Sequence, residues 1–387
     1  MSRLIPALCT ILLITVNCKG PSPESAKDAV LKTPGEQTAD MSFYLGTYTD
    51  GESRGIYQYA LSPDGGLQKL GFVAEAENPS FLALSPDERY LLAVNEVSNT
   101  DQTGYVSSFR IGRDTLTFLD QKPTGGAHPC HIAVNPEGYV LVANYSGGNM
   151  GLLKIKNDGN LSDLLDVQQH EGSGSHPRQE APHAHSGWFT QDDGLISVDL
   201  GTNQLWFSEV DTQSEKFKPR TPLTLSMEPE AGPRHLTFHP NNPWLYVVNE
   251  LNSSVSLLKK DPETGDRKIV QTISTLPQGY DSDNTCADIH ISVDGKFLYA
   301  SNRGHNSIVI YSVDGATGEL VLLGHEPTRG ETPRNFSISP DGRFLLVANQ
   351  TTNTIVSFQR NPTTGLLNYT DQIDAPSPVC ILFKRLP

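Results

Sequence analysis

A single unit of sequence is written repeatedly along this chain: a Pro-led apolar strand, a polar turn, then a second apolar strand ending in Asn or Asp. The clearest copy runs from Gly232-Pro233-Arg234-His235-Leu236-Thr237-Phe238 to Trp244-Leu245-Tyr246-Val247-Val248-Asn249-Glu250. Others are Asn78–Pro86 with Tyr90–Asn95, His128–Pro136 with Val140–Asn144, Ala287–Gly295 with Phe297–Asn302, and Thr332–Gly342 with Leu345–Asn349. A degenerate copy, Ala181–Trp188 followed by Ile196–Asp199, marks an irregular fourth blade. The strand-end residues Asn95, Asn144, Asp199, Asn249, Asn302 and Asn349 are 49, 55, 50, 53 and 47 residues apart. That is the period of propeller blades built from four short strands.

Within a unit, the two remaining strands are visible around Gly-containing turns. Ser307–Ser312 and Glu319–Leu323 flank Asp314-Gly315-Ala316-Thr317-Gly318, where Gly supplies the positive φ that tight hairpins need. At the N-terminus, Ser42–Tyr48, Gly55–Leu61 and Leu67–Ala74 read as second, third and fourth strands without a first. The missing strand is Ser377–Phe383, at the other end of the chain. Six complete blades and one composite blade predict an all-β, seven-bladed propeller over 42–387. Its ring is closed by the C-terminal strand, which removes free sheet edges. Cys130, Cys286 and Cys380 fall in the third, sixth and first blades, which are not neighbours, so reduced thiols are expected.

The formal net charge of -15 argues against nucleic acid or an anionic membrane surface as partner, and an anionic substrate needs a local cluster of Arg. Arg3 and the 13-residue apolar run Leu4–Val16 have the form of a signal peptide (1–17), too short for a stable span. Thr15-Val16-Asn17-Cys18 resembles a bacterial lipoprotein box, departing from it at Asn17, with Cys18 as the acylated residue. Residues 18–41 read as a disordered tether. The expectation is an exported protein, periplasmic or lipid-anchored to a membrane, and a monomer. No Cys/His spacing of a metal site occurs, so no metal and no cofactor is expected.

In a propeller, the loops entering first strands and leaving second strands share one face around the central channel. This gathers His128, His131, His183, His185, Arg234, His235, Cys286, His290 and Arg334 with Glu96, Tyr145, Glu250, Arg303 and Gln350. Asn95, Asn144 and Asn349 are expected to bond loop backbone. His128, His131, His235 and His290 are of a type that more often hydrogen-bonds between blades. Arg234, Arg303 and Arg334, from three successive blades, supply the positive cluster that holds a carboxylate or phosphate.

Gly232-Pro233-Arg234-His235-Leu236, Asn249-Glu250-Leu251, Ser301-Asn302-Arg303-Gly304 and Pro333-Arg334-Asn335-Phe336 resemble the bacterial 6-phosphogluconolactonase family of seven-bladed propellers, relatives of the fungal carboxy-cis,cis-muconate cyclases. The resemblance covers roughly Ser42 to Phe383. It implies a lactonase acting on a small-molecule lactone or anionic sugar acid, with catalytic positions at His185, Arg234, Glu250 and Arg303. It leaves His131, His183, His235 and Arg334 as substrate-binding candidates. Lactone hydrolysis needs a base for water, a donor for the nascent oxyanion, and anchors for an anionic group. Glu250 or His185 fits the first role, Arg234 the second, and Arg303 with Arg334 the third. Two other readings use the same residues: a lactonising cyclase of muconate type, and an exported binding propeller without catalysis, in which Arg234 and Glu250 are a structural ion pair. The family's own substrate class implies a cytoplasmic enzyme, against the export signal. The insertion Gln169–Pro182, carrying His170, His176 and Arg178, is a candidate lid.

Overall fold

The computed structural model describes Met1, residues 40–192 and residues 194–384. The chain parts into two units, Met1–Thr38 and Ala39–Pro387, and the fold belongs to the second. The expected signal segment (1–17), Cys18 and nearly all of the tether (18–41) lie outside the described residues.

Seven four-stranded antiparallel sheets are present. Blade 1 is β1 (Met41–Thr47), β2 (Gly55–Leu61) and β3 (Leu67–Glu75), with β28 (Pro378–Phe383) as its first strand. Blade 2 is β4 (Leu82–Leu84), β5 (Tyr90–Asn95), β6 (Tyr105–Ile111) and β7 (Leu116–Pro123). Blade 3 is β8 (Pro129–Val134), β9 (Tyr139–Asn144), β10 (Asn149–Lys154) and β11 (Asp166–Gln169). Blade 4 is β12 (Ala184–Phe189), β13 (Gly194–Asp199), β14 (Gln204–Asp211) and β15 (Lys216–Ser226). Blade 5 is β16 (Pro233–Phe238), β17 (Trp244–Asn249), β18 (Ser254–Lys260) and β19 (Arg267–Ser274). Blade 6 is β20 (Thr285–Ile291), β21 (Phe297–Arg303), β22 (Ser307–Val313) and β23 (Leu320–Pro327). Blade 7 is β24 (Pro333–Ile338), β25 (Phe344–Asn349), β26 (Thr354–Arg360) and β27 (Leu367–Asp374).

The predicted closure is present: β1 pairs with β28 from Phe43↔Phe383 to Thr47↔Pro378. The fourth blade is irregular, as expected: its outer strand β15, the longest, steps from Thr224 to Pro219 where β14 advances only from Trp206 to Ser208. The third blade is irregular as well: its outer strand β11 has four residues and pairs with β10 at Asn149–Leu152. The degenerate spelling of Ala181–Trp188 coincides with the long loop that precedes β12.

Second strands such as Tyr90–Asn95, Tyr139–Asn144, Trp244–Asn249 and Phe344–Asn349 are buried at every position. They read as unbroken apolar runs because both of their faces meet a neighbouring blade. Thus Trp244, Tyr246 and Val248 of β17 pack on Ile289, Leu298 and Val309 of blade 6. At roughly 2 kcal/mol per buried large side chain, these interfaces hold the ring. The hairpin glycines also serve as docking points. Tyr246 donates its hydroxyl to Gly318 O at 2.8 Å and Tyr299 to Gly365 O at 2.8 Å, each in the next blade. Gly318 and Gly365 have φ of 69° and 74° and lie against the rings of Trp244 and Phe297, leaving no room for a Cβ.

First strands of successive blades lie side by side around the axis, β4 to β8, β12, β16, β20, β24, β28 and back to β4. The expected backbone ties are made: Asn95, Asn144 and Asn349 donate to Glu77 O, Thr124 O and Thr328 O. One local feature was not expected. Most first strands begin with a β-bulge, leaving one residue out of register with the second strand. The bulged residues are Cys130 (β8), His185 (β12), Arg234 (β16), Arg334 (β24) and Val379 (β28), with Ala287 and Asp288 together in β20. A bulge re-aims a side chain that the pleat would otherwise direct elsewhere.

Candidate active site

The bulges set the chemistry of the channel mouth. Arg234, Arg334, Cys130 and the residues after them (His235, Asn335) line a cavity of about 10 Å³, with Ser80, Phe81 and Val379. That is room for about one water, so side chains fill this part of the channel and a lactone does not fit there.

Glu250, the residue after β17, is the centre of the cluster. Its carboxylate is only 3% exposed. Oε2 lies 3.0 Å from Arg234 Nε, 3.0 Å from Arg303 Nη2 and 3.9 Å from His185 Nε2. Oε1 lies 2.7 Å from Arg178 Nη2. Burial pushes the Glu250 pKa up, but Arg303, Arg234 and Arg178 outweigh it and hold the group at about 2. Arg234 is itself buried, and desolvation with Arg303 and Arg334 nearby lowers it to about 10, still charged at neutral pH. Its Nη1 donates to Ala287 O at 2.5 Å, and Arg303 Nη2 donates to Cys286 O at 2.8 Å. Nε of Arg234 and Nε of Arg303 are buried donors without a hydrogen-bonded protein acceptor. Beside Oε2, Arg234 Nε is close enough for charge attraction but not aligned for a bond.

Four guanidinium groups (Arg178, Arg234, Arg303, Arg334) face three carboxylates (Glu250, Glu96 and the deeper Asp288). The mouth is therefore positive in a chain of formal charge -15. Arg334 has no carboxylate within ion-pair distance among the described residues, and its guanidinium lies 5.3 Å above the Tyr48 ring. Tyr48 donates to Glu96 Oε2 at 2.9 Å. His185 is held well below the usual histidine range by burial and by Arg234, so it is neutral. Its Nδ1 is 3.7 Å from the Cys130 thiol, which burial pushes far up.

One layer down, Asp288 organises the histidines. It accepts from His235 Nδ1 at 2.9 Å, His290 Nε2 at 3.1 Å, Asn335 Nδ2 at 2.6 Å and its neighbour Ile289 N at 3.0 Å. Because His235 Nδ1 carries the proton toward Asp288, its Nε2 is free to accept from Arg234 Nη1 at 3.2 Å. Burial, with Arg234, lowers His235 to about 4 against the pull of Asp288. A chain of Asp288, His235, Arg234 and Glu250 thus fixes the Arg234 guanidinium plane. His235 is accordingly a support of the site and not a group at its mouth. His131, the other candidate at this level, is wedged between Phe81 and Trp188 at 4.4 and 4.8 Å and accepts from Gly187 N. It is a neutral packing residue.

At the rim, His183 stacks on Tyr145 at 4.6 Å and donates Nδ1–H to Tyr145 O. The Gln169–Pro182 insertion is bolted down. His170 is buried, stacks on Trp206 at 4.3 Å and donates to Asp199 Oδ2 at 2.7 Å. Gln179 Nε2 donates to Leu200 O at 2.8 Å. Arg178, next to Gln179, reaches from this base to Glu250 and to Tyr145 Oη at 3.3 Å.

His185, Arg234, Glu250 and Arg303 thus meet at one point, with Arg334 and His183 around it. Sequence reasoning missed Asp288 and did not assign Arg178 to the site. Asp288 stood in a quoted repeat as the one acidic residue among apolar first-strand positions, which was an available signal. Among the described residues no group of three or more His, Cys, Asp or Glu is placed to hold a metal ion.

Residues 42–383 match the family described as lactonase, 7-bladed beta-propeller. The 6-phosphogluconolactonase of Bacillus subtilis (strain 168) is 33% identical over 350 residues, covering 88% of this chain and 97% of that protein. The crystal structure of a putative 6-phosphogluconolactonase from Bacteroides fragilis superposes with a TM-score of 0.84 at 35% identity, over 91% of this chain and 100% of that one. A periplasmic gluconolactonase from Pseudomonas aeruginosa gives 0.85 at 31% identity, over 90% and 100%. The repeat, the closed ring and these likenesses agree: the chain belongs to the lactonase family of seven-bladed β-propellers.

Proposed function

We propose that this protein is a lactonase, similar to 6-phosphogluconolactonase, which hydrolyses a sugar-type lactone bearing an anionic group. The observation that carries this reading is a buried carboxylate beside two buried guanidinium N–H donors that lack protein acceptors. Glu250 takes a proton from the attacking water. The carbonyl oxygen, as it becomes an oxyanion, takes the Nε–H donors of Arg234 and Arg303, which are already desolvated and need no reorganisation. The ring C–O bond then breaks, and its oxygen leaves as a hydroxyl with the proton returned from Glu250. His185 keeps a neutral imidazole against Oε2, and Arg334, the cation without a carboxylate partner, anchors the substrate's anion with His183 at the rim. Small-molecule anions and lactones are the partners of this reading.

The place of action in this proposal is outside the cytoplasm. The N-terminal apolar run and the likeness to a protein described as periplasmic support export, with Cys18 as the point of lipid attachment. Incorporation of labelled palmitate into the wild type and not into Cys18→Ser tests the anchor.

The activity is tested by following acid release from phosphorylated, carboxylated and plain aldonolactones, with Glu250→Gln and Arg234→Ala alongside. Loss of turnover in both variants is the expected result. Turnover that survives both sinks the site, and no turnover of any lactone by the wild type sinks the activity.

A further inference from the structure

We infer that Arg178 is a specificity-determining latch: it caps Glu250 in the free protein and transfers its guanidinium to the anionic group of an incoming lactone. The inference rests on the lactonase reading for its substrate class and on geometry for the residue. The two oxygens of Glu250 are not equivalent. Oε2 is committed to Arg234 and Arg303, both anchored by carbonyl acceptors on β20. Oε1 carries the shortest contact of Arg178, at 2.7 Å, whereas the shortest contacts of Arg234 and Arg303 fall on Oε2. Oε1 is therefore the oxygen through which Glu250 can reach a water, and Arg178 stands on it.

Arg178 can leave and its neighbours cannot. Arg234 is 2% exposed and Arg303 is 15% exposed in their side chains, whereas Arg178 is 44% exposed. The loop carrying it does not need to move, because His170 and Gln179 fix it to blade 4. Its Nη2 also bonds Tyr145 Oη at the rim, which gives the side chain a second foothold outside Glu250. Only side-chain rotation is required, a fast and inexpensive motion. An arginine fork pairs with phosphate or carboxylate through two parallel bonds, so an anion on the substrate competes well with the single contact to Oε1. A neutral lactone offers nothing in exchange and leaves Oε1 capped. Selectivity for anionic over neutral lactones, beyond what the anchor Arg334 supplies, then comes from an exposed side chain in an insertion that the other blades lack.

The test compares wild type, Arg178→Ala and Arg178→Lys on three lactones: 6-phosphogluconolactone, a lactone of glucaric acid bearing a free carboxylate, and gluconolactone. For whichever anionic lactone the wild type prefers, Arg178→Ala should raise KM about 10- to 100-fold, the loss of one charged hydrogen-bond pair. KM for gluconolactone should stay within about twofold or fall, since a 44% exposed contact is removed from an oxygen the reaction needs. Arg178→Lys should recover part of the anion preference. Equal changes on charged and neutral lactones, or none, overturn the latch. If the wild type turns over no lactone, calorimetry with 6-phosphogluconate, glucarate and gluconate separates the two failures. A preference for an anion over gluconate that Arg178→Ala abolishes keeps Arg178 as the anion's ligand and discards lactonase activity. Absence of any such preference in the wild type overturns the inference itself.

Discussion

Replacing Glu250 by Gln is the sharpest perturbation of this site, because the change is nearly isosteric and removes only charge. Glu250 is 3% exposed and neutralises three guanidinium groups at once, with Arg234 at 3.0 Å, Arg303 at 3.0 Å and Arg178 at 2.7 Å. Removing one partner of a buried ion pair costs roughly 3–5 kcal/mol, since the remaining charge stays desolvated. Arg178 can turn to water and the Gln carbonyl still accepts one bond, so we expect the lower end, about 3 kcal/mol. With roughly 0.7 kcal/mol/K of unfolding entropy for a propeller of this size, Tm falls by about 4 °C. The fold survives, and assays at 25 °C should find kcat down by a factor of about 10² to 10⁴, the range for a lost general base. The double variant Glu250→Gln/Arg178→Met should lie within about 1 kcal/mol of the single one, because Arg178, 44% exposed, already turns to water. Calorimetric melting and lactone turnover on the same preparations decide the matter. A lower Tm with kcat unchanged would mean that Arg234 and Glu250 are only a structural ion pair. Unchanged Tm and unchanged kcat together would refute the electrostatic argument altogether.

Three further outcomes follow from the same geometry. Asp288→Asn deprives His235, His290 and Asn335 of a shared acceptor. It should cost about 3 kcal/mol and lower kcat roughly tenfold to a hundredfold through misplacement of Arg234, with KM less affected; wild-type kinetics in this variant would show that Asp288 does not position the site. Stability should be flat between about pH 6.5 and 8 and decline below that window. His185 and His235 have folded pKa values below the unfolded one, so the unfolded chain protonates first. A second decline should run from about pH 4.5 toward 2, as Glu250 is depressed to about 2 and its contribution is lost on protonation; Glu250→Gln should make that part shallower, with the depressed Asp288 keeping its own share, and a wild-type Tm that rises on acidification would contradict the assignment. Burial raises Cys286 to about 11 and Cys380 to about 12 and lifts Cys130 further. Native protein should therefore leave all three thiols unreacted with Ellman's reagent at pH 8 while urea exposes them, and fast native labelling would show that the blade interfaces open.

The fold was legible because a propeller repeats its local physics. The Pro-led first strand, the wholly apolar second strand and the Gly-bearing hairpin recur at a spacing that only a stacked blade explains. The closure by β28 followed from an incomplete first unit and a leftover strand at the other end. Arg234, Glu250 and Arg303 were legible as well, since they put charge where sibling blades carry neutral residues. The loop before blade 4 was the least legible passage. Its altered spelling marked an irregular blade, whose outer pair β14–β15 does slip in register, but gave no sign that the loop's own residues, His170 and Gln179, are buried anchors.

What the amino-acid sequence determined by itself is the number of blades, their boundaries and the face on which charge collects, all consequences of local period and turn chemistry. Tertiary structure decided which of those charges touch. The bulges that re-aim Cys130, His185, Arg234 and Arg334 leave no mark in the strand pattern, because one extra residue does not disturb an apolar run. Asp288 joins His235, His290 and Asn335 from three first strands, and Arg178 meets Glu250 across two blades. Such contacts are set by how the ring closes. A carboxylate's partners, and hence its pKa and its freedom to act as a base, are properties of that closure.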